Sequence, residues 1–250
     1  MTEHTYHFWV DQGQQRLDSG LGNPNSFSAE QTAELDQAGF CFLNAQDVHW
    51  QAYLSHQRFQ LHAQAGQVEP AYRFAHQSLQ QYQAAFDPKG QTLFLIHWAH
   101  FLSAQGRDHK ALSSLRAAVV LAKEKAPDRL GLALSSLGEE YLAQGNYGEA
   151  IHQFDLCLAT GGLDEASLSW CFKSLGDAFS GLYRLVPAEG FYRKALKKSL
   201  DIGYDDLASH CRELLLKLEE TLQTDFSFSE LGLKSKSALQ SLKPTNPTLF

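Results

Sequence analysis

The stretch from Leu130 to Thr160, LGLALSSLGEEYLAQGNYGEAIHQFDLCLAT, constrains the fold of this chain most strongly. Apolar and small residues fall at helical spacing in its first half, and they do so again after a Gly-Asn pair. The stretch therefore predicts two short helices joined by a tight turn. The positions that define the pattern are Leu134, Leu137, Gly138 and Tyr141 in the first helix, and Ala150, Phe154 and Leu158 in the second.

Two short antiparallel helices come close only where one offers a small residue to a large residue of the other. Gly138 and Ala150 are the small residues of this pair, and the apolar residues around them form one stripe on each helix. Gly145 and Asn146 are expected to form the turn, because Gly takes the left-handed conformation without a steric penalty and Asn tolerates a turn position.

The pattern recurs before and after the central copy. Four alanines in equivalent places, Ala71, Ala111, Ala150 and Ala188, are separated by 40, 39 and 38 residues. The residues beyond a unit of about 34 fall at the repeat boundaries, in FDPKGQ and KAPDRLG, so each helix is predicted to be about a turn longer. In the first copy Phe59 occupies the place of Gly138.

The last copy differs from the others at its turn. Tyr183 stands where Gly is expected, and the connection GLYRLVP ends in Pro187, just before the small Ala188. The sequence leaves the geometry of this turn open, although the helices on either side keep the pattern.

The residue pattern L-G-x2-Y followed by A-x3-F resembles the tetratricopeptide repeat (TPR), with Leu134 in the place of the family's Trp. The long repeats are similar to those of kinesin light chains and of bacterial regulatory TPR proteins. The resemblance covers about Gln51 to Thr221 and implies an all-α fold, a right-handed superhelical solenoid of antiparallel helix pairs.

Three regions are predicted. Residues 1–50 form an N-terminal helical cap or a degenerate repeat, with helices at about Thr5–Asp18 and Ala29–Leu43. Residues 51–222 form a solenoid of about four repeats that ends in a capping helix at Leu207–Thr221, for a total of eleven to thirteen helices. Residues 223–250 form a tail that is either a short helix or a disordered terminus. The alternative for the tail is that it docks on the solenoid through Phe226, Phe228, Leu231 and Leu239.

Composition excludes several classes of protein. The chain has 250 residues, 44% of them hydrophobic, and a formal net charge of -7, which argues against general nucleic-acid binding. The amino terminus lacks the features of a signal peptide and no apolar run is long enough to span a bilayer, so a cytoplasmic protein without membrane contact is expected. The four cysteines show no C-x-x-C spacing, and reduced thiols are expected.

No catalytic signature is present. The chain lacks a P-loop, G-x-S-x-G, H-E-x-x-H and a dinucleotide-binding glycine motif, so no enzyme and no cofactor is expected. Two histidine pairs at i, i+3, His97 with His100 and His4 with His7, lack a further ligand at suitable spacing. We therefore expect no metal site.

Function is expected to reside on a binding surface. In the family that this chain resembles, the first helix of each repeat lines the concave side, where a peptide or helical segment of a partner protein binds. The chain lacks the Lys and Asn set with which co-chaperones hold a C-terminal carboxylate. We expect a scaffold or regulatory module, or alternatively a sensor that binds a short signalling peptide or small molecule in the same groove. The residues expected there are Tyr53, His56, Gln60, Ile96, His100, Ser103, Ser135, Glu139, Leu142, Trp170, Lys173 and Asp177.

Overall fold

A computed structural model describes residues 1–21 and 29–230, and the side chains of 1–21 and 30–222. These residues form eleven α-helices, one short 3-10 helix and no strand, which confirms the predicted all-α class. None of the helices described is both long and apolar enough to cross a membrane. The helices are α1 (Glu3–Leu21), α2 (Ala29–Asn44), α3 (Val48–Gln64), α4 (Val68–Ala84), α5 (Pro88–Ala104), α6 (Asp108–Lys125), α7 (Leu130–Ala143), α8 (Tyr147–Thr160), α9 (Glu165–Gly181), α10 (Leu185–Asp201) and α11 (Asp205–Glu230).

The chain divides into two compact units, Met1–Ala133 and Leu134–Phe250, called here the first and the second unit. Within the first unit α1 packs on α2, α3 on α4 and α5 on α6, and within the second α9 packs on α10. The pairs are built from sequence neighbours, as the repeats predict. The predicted lengthening of each helix by about a turn is confirmed for α3 to α6, which have 17 or 18 residues, but is wrong for α7 and α8, which have 14 each.

A small residue against an aromatic ring fixes the distance between paired helices. A Cβ atom added to Gly138 of α7 would lie 2.8 Å from the ring of Phe154 on α8. The equivalent position in the next pair, Gly176 of α9, would place a Cβ 2.4 Å from the ring of Tyr192 on α10. Both rings are buried, so neither contact leaves room for a side chain on the first helix.

The pair α1/α2 uses the same contact. A Cβ on Gly13 would lie 2.4 Å from the ring of Phe42, and both Phe42 and Ala38 are completely buried. Ala38 and Phe42 match the A-x3-F spacing, and Trp9 precedes Gly13 by four residues, as Leu134 precedes Gly138. Residues 3–44 therefore carry the helix-pair contact of the later repeats.

In α3 and α4 the large and the small partner are exchanged. Phe59 occupies the glycine place of α3, and Ala75 occupies the place that Phe154 holds in α8. Both side chains are buried in one apolar cluster. The total volume at this contact is thus kept although both residues differ, which is the change that packed cores tolerate best.

Seven turns in the described residues share one geometry. The second residue after the helix has a positive φ, its N–H bonds to the carbonyl three residues back, and the next N–H bonds to the carbonyl five back. Tyr183 follows this geometry with φ 57°, so its turn is the same as those formed by glycine. The turn residues are Gln46, Gly66, Phe86, Gly106, Gly145, Tyr183 and Gly203.

Aspartate side chains cap three of the first helices, with Asp47 at α3, Asp87 at α5 and Asp164 at α9. Asp47 accepts from the Trp50 N–H at 3.0 Å, and Asp87 accepts from the Gly90 N–H at 2.9 Å, at the starts of α3 and α5. A Cβ on Gly90 would lie 2.3 Å from the ring of Tyr82 on α4. The boundary between α4 and α5, where Asp87 and Gly90 stand at D-x-x-G spacing, thus combines a helix cap with a close approach of two helices.

Helix α11 continues past the expected end of the capping helix at Thr221 and reaches Glu230. The side chains of Phe226 and Phe228, and all of Leu231 and Leu239, lie outside the described residues. Docking of the tail therefore stays a prediction, as do the boundaries of the three predicted regions.

The helix-pair contact predicts a contrast between two glycines. Gly138→Leu should lower the free energy of unfolding by about 1–3 kcal/mol or more, because the new side chain meets the Phe154 ring. Gly148→Leu is the matched control, because Gly148 is exposed on α8 and has no neighbour within 4 Å. Chemical denaturation measures both variants, and equal midpoints would contradict the packing described.

Candidate functional site

All twelve residues expected on the binding surface lie on α3, α5, α7 or α9, the first helices of their pairs. Six belong to each unit, and ten are at least partly accessible. Those that are partly buried or exposed are Tyr53, Gln60, His100 and Ser103 in the first unit, and Ser135, Glu139, Leu142, Trp170, Lys173 and Asp177 in the second.

His56 and Ile96 are the two exceptions. They are 1% and 2% exposed, so neither side chain faces a partner directly, which corrects the expectation for both. The His56 ring lies among the rings of Phe59, Tyr82 and Phe94, with centroids 5.4 to 6.3 Å away. Ile96 is enclosed because α5 packs against α3, α4 and α6 and keeps little open surface.

A chain of hydrogen bonds connects the core of the first unit to its surface. The Tyr82 hydroxyl lies 3.2 Å from His56 Nδ1, and His56 Nε2 lies 2.8 Å from His97 Nδ1. Gln60 Nε2 also approaches His97 Nδ1, at 2.9 Å. Since a neutral imidazole has one N–H and one acceptor nitrogen, the proton on each ring fixes the polarity of the next. The Gln60 amide nitrogen can only donate, so His97 Nδ1 is an acceptor and His97 Nε2 carries the ring proton and is a donor.

Both histidines of this chain are neutral near pH 7. Burial, with a smaller contribution from the neighbouring His97, lowers the pKa of His56 to about 3. Burial likewise lowers the pKa of His97 to about 4, with an added contribution from His100. The contact between His56 and His97 was not predicted from the sequence.

The two histidines are 41 residues apart, one more than the repeat interval between Ala71 and Ala111. This spacing is the signal from which their contact could have been predicted.

A cavity of about 270 Å³, called here the α3–α5 cavity, opens between these two helices. The aromatic rings of Phe59 and Phe101 and two alanines form its apolar part, and two amides and two imidazoles form its polar part. This arrangement suits an apolar group that is oriented by a few hydrogen bonds. The lining residues are Phe59, Gln60, Ala63, Gln64, His97, His100, Phe101 and Ala104.

In the second unit, three of the expected residues form one connected group on α9. Lys173 Nζ lies 2.7 Å from Asp177 Oδ2 and 5.8 Å from the centroid of the Trp170 ring. Asp177 Oδ1 accepts a hydrogen bond from the Tyr192 hydroxyl at 2.9 Å. The ion pair and the cation–π contact hold the two charged side chains in place beside an aromatic surface.

Trp170 is 38% exposed. Its ring and the Tyr204 ring form a T-shaped pair with centroids 6.4 Å apart. Glu139 on α7 is also exposed, yet partial desolvation raises the pKa of its carboxyl group, while Lys173 lowers it. Glu139 on α7 and Lys173 on α9 therefore interact electrostatically, although they lie on different first helices. This part of the surface offers one large aromatic side chain and charges of both signs.

Metal coordination finds no support in the part of the chain that the structure describes, where no group of three or more His, Cys, Asp or Glu side chains could hold an ion. Cys41, Cys157, Cys171 and Cys211 are buried and form no disulfide. His97 Nδ1 is occupied by the hydrogen bonds described above.

Comparison of the structure with solved structures identifies the fold. A putative kinesin light chain with TPR-like repeats from Podosopora anserina superposes with a TM-score of 0.58, at 14% identity over 82% of this chain and 100% of that chain. The chain has the tetratricopeptide-repeat fold. The resemblance expected from the residues is thus confirmed at the level of the fold. Neither a family model nor a curated protein matches the sequence.

Two further TPR structures are similar. A signal-transduction ATPase from Pyrococcus horikoshii with a TPR sensor gives a TM-score of 0.62, at 15% identity over 90% of this chain but only 38% of that protein. A Rap protein in complex with competence and sporulation factor gives 0.56, at 13% identity over 88% of this chain and 65% of that chain.

The histidine pair predicts an acid-sensitive stability. Both pKa values are lower in the folded chain than the ordinary 6.5, so only the unfolded chain takes up protons as the pH falls from 6.5 toward 4. Stability should be complete well above pH 6.5 and should fall by about 2 kcal/mol for each histidine, about 4 kcal/mol in all, by pH 5. Urea denaturation at several pH values measures the loss.

Two variants test the source of that loss. His97→Gln should reduce the pH dependence by about half, because it removes one of the two groups. His76→Gln, on the exposed side of α4, serves as the control and should leave the pH dependence unchanged. An equal effect of both substitutions would contradict the assignment.

Proposed function

We propose that this chain is a non-catalytic interaction module that binds a peptide or helical segment of another protein along the first helices of its repeats. The observation that carries the proposal is the α3–α5 cavity, whose lining combines apolar and polar side chains. Peptide grooves have this composition, because buried side chains anchor the segment and hydrogen bonds set its direction.

The size of the cavity supports a peptide side chain as its occupant. Drug-sized ligands are held in pockets of roughly 300–1,000 Å³, and the α3–α5 cavity is smaller, at about 270 Å³. Ala63 and Ala104, with the Phe101 ring, offer apolar surface to an entering side chain, whereas Phe59 is only 1% exposed. Gln60 and Gln64 at the edge offer both donors and acceptors, which is what a peptide backbone requires.

A second contact surface is proposed in the second unit, around Trp170, Lys173 and Asp177. Tryptophan combines a large apolar surface with a polar N–H and is enriched at positions that dominate binding energy. Lys173 and Asp177 already neutralise each other, so the group suits a partner segment that carries paired charges or polar groups. Of the twelve expected residues, we assign five to binding. They are Gln60 and His100 at the α3–α5 cavity, and Trp170, Lys173 and Asp177 in the second unit.

The competing proposal is a sensor for a short signalling peptide or small molecule. Two similar structures favour it, one a TPR sensor within a larger ATPase and the other a Rap protein bound to a factor. Affinity capture from the native host followed by mass spectrometry separates the two proposals. A scaffold should retain a protein partner, whereas a sensor should yield only a small ligand when it is denatured and extracted.

Filling the α3–α5 cavity should abolish binding without unfolding the protein. Ala104→Trp adds a large ring at an exposed position that lines the cavity, and Ala84→Trp adds the same ring at an exposed position on α4 outside the cavity. Peptides selected from a random phage library on the wild-type protein provide the probe. Affinity should fall at least about tenfold for Ala104→Trp alone. Equal binding by both variants would refute this site.

Trp170→Ala should weaken binding of a partner segment by about 2 kcal/mol, as expected for an interface residue that dominates binding. Its melting temperature should change little, because the ring is substantially exposed. Val186→Ala, at an exposed position on α10, is the control. Lost stability with unchanged affinity per folded molecule would show that Trp170 is a packing residue.

A further inference from the structure

A second cavity of the first unit, called here the α1–α3 cavity, has a different chemistry. Its volume is about 410 Å³, within the range of small-ligand pockets. Helix α1 contributes an aliphatic wall with an amide and a carboxylate, and α3 contributes a wall of aromatic rings. The lining residues are Gln14, Leu17, Asp18 and Leu21 of α1, and His49, Trp50 and Tyr53 of α3.

The two large rings of the α3 wall stand perpendicular to each other. The Trp50 and Tyr53 centroids are 5.7 Å apart with an interplanar angle of 89°. Phe42 stacks on Trp50 from the core side, at 5.3 Å and 13°. Trp50 is therefore held by a ring from α2, and the two perpendicular rings form a fixed corner in the cavity wall.

The charge in the cavity is negative. Asp18 is exposed and makes no hydrogen bond or ion pair with any residue that the structure describes. Among the residues that the structure describes, no lysine or arginine lines the cavity. Arg16, on the same helix, is bound to Glu34 at 3.1 Å, and His49 Nδ1 lies 3.1 Å from Asp87 Oδ2. Arg16 on the same helix and His49 in the cavity wall thus already have acidic partners, whereas the Asp18 carboxylate has no basic partner among the described residues.

We infer that the α1–α3 cavity binds an organic cation, an alkylammonium or guanidinium group seated against Trp50 and Tyr53 with Asp18 as its counter-charge. The faces of Trp and Tyr rings attract cations within about 6 Å of the ring centroid. A carboxylate and the Gln14 carbonyl supply acceptors for any N–H groups. A free amine and a basic side chain of a partner segment share this chemistry. The inference does not depend on the α3–α5 cavity.

Calorimetric titration of the whole chain with three probes tests the inference. Choline presents a free cation, N-acetyl-arginine amide presents a cation as a side chain, and 3,3-dimethyl-1-butanol is the neutral shape analogue of choline. Binding of either cation but not of the neutral analogue supports the site, and the cation that binds more tightly identifies the source. Equal binding of choline and its neutral analogue, or no binding of either cation, overturns it.

Substitutions then locate the site. Asp18→Asn should lower the affinity for the cation at least about fivefold, because it removes the counter-charge. Asp11→Asn, elsewhere on α1, should leave the affinity unchanged. Tyr53→Leu should weaken binding by roughly three- to thirtyfold, and Tyr53→Phe should retain it, because the ring face makes the contact. Melting temperatures verify that each variant is folded.

The variants also separate this inference from the proposed function. Equal affinities for Asp18→Asn and Asp11→Asn would overturn the cation site. The same would follow if Tyr53→Leu and Tyr53→Phe bound the cation equally well. Ala104→Trp should leave cation binding unchanged even where it abolishes peptide binding, because Ala104 lines only the α3–α5 cavity of the two.

Discussion

The contact between a large side chain and a small one inside each helix pair is the constraint on which the rest of the structure depends. Gly138 with Phe154 and Gly176 with Tyr192 leave no space for another atom, so the helices can pair at only one separation. In α3 and α4 the large residue, Phe59, stands on the other helix. What persists along the chain is therefore the combined volume at the contact rather than the residue at either place.

The turns follow from the same pairing. A non-glycine residue in the left-handed region costs about 1–3 kcal/mol, yet Phe86 and Tyr183 both occupy it. Their two backbone hydrogen bonds, together with the packed helices on either side, hold them there. This explains why the turn at Tyr183 could not be derived from its own sequence. Local preference favours glycine, but the helices that meet at the turn decide its geometry.

The sequence predicted the helices and the later repeats well because their signals are periodic and local. It left residues 1–50 as either a cap or a degenerate repeat, because Gly13 and Ala38 are 25 residues apart, against 12 for Gly138 and Ala150. The site was harder to predict. Spacing assigned the right helices, but it could not show that His56 is enclosed by aromatic rings, since those rings come from α3, α4 and α5 together.

The joint between α4 and α5 connects the two cavities of the first unit. Tyr82 lies against Gly90 on one side and bonds to His56, which leads through His97 to the α3–α5 cavity. Asp87 caps α5 and also holds His49 at the α1–α3 cavity. The glycine and the aspartate of a repeat boundary, needed for the packing and capping of helices, thereby orient polar groups at both cavities. A feature that repeats for structural reasons thus sets the polarity of two chemically different surfaces.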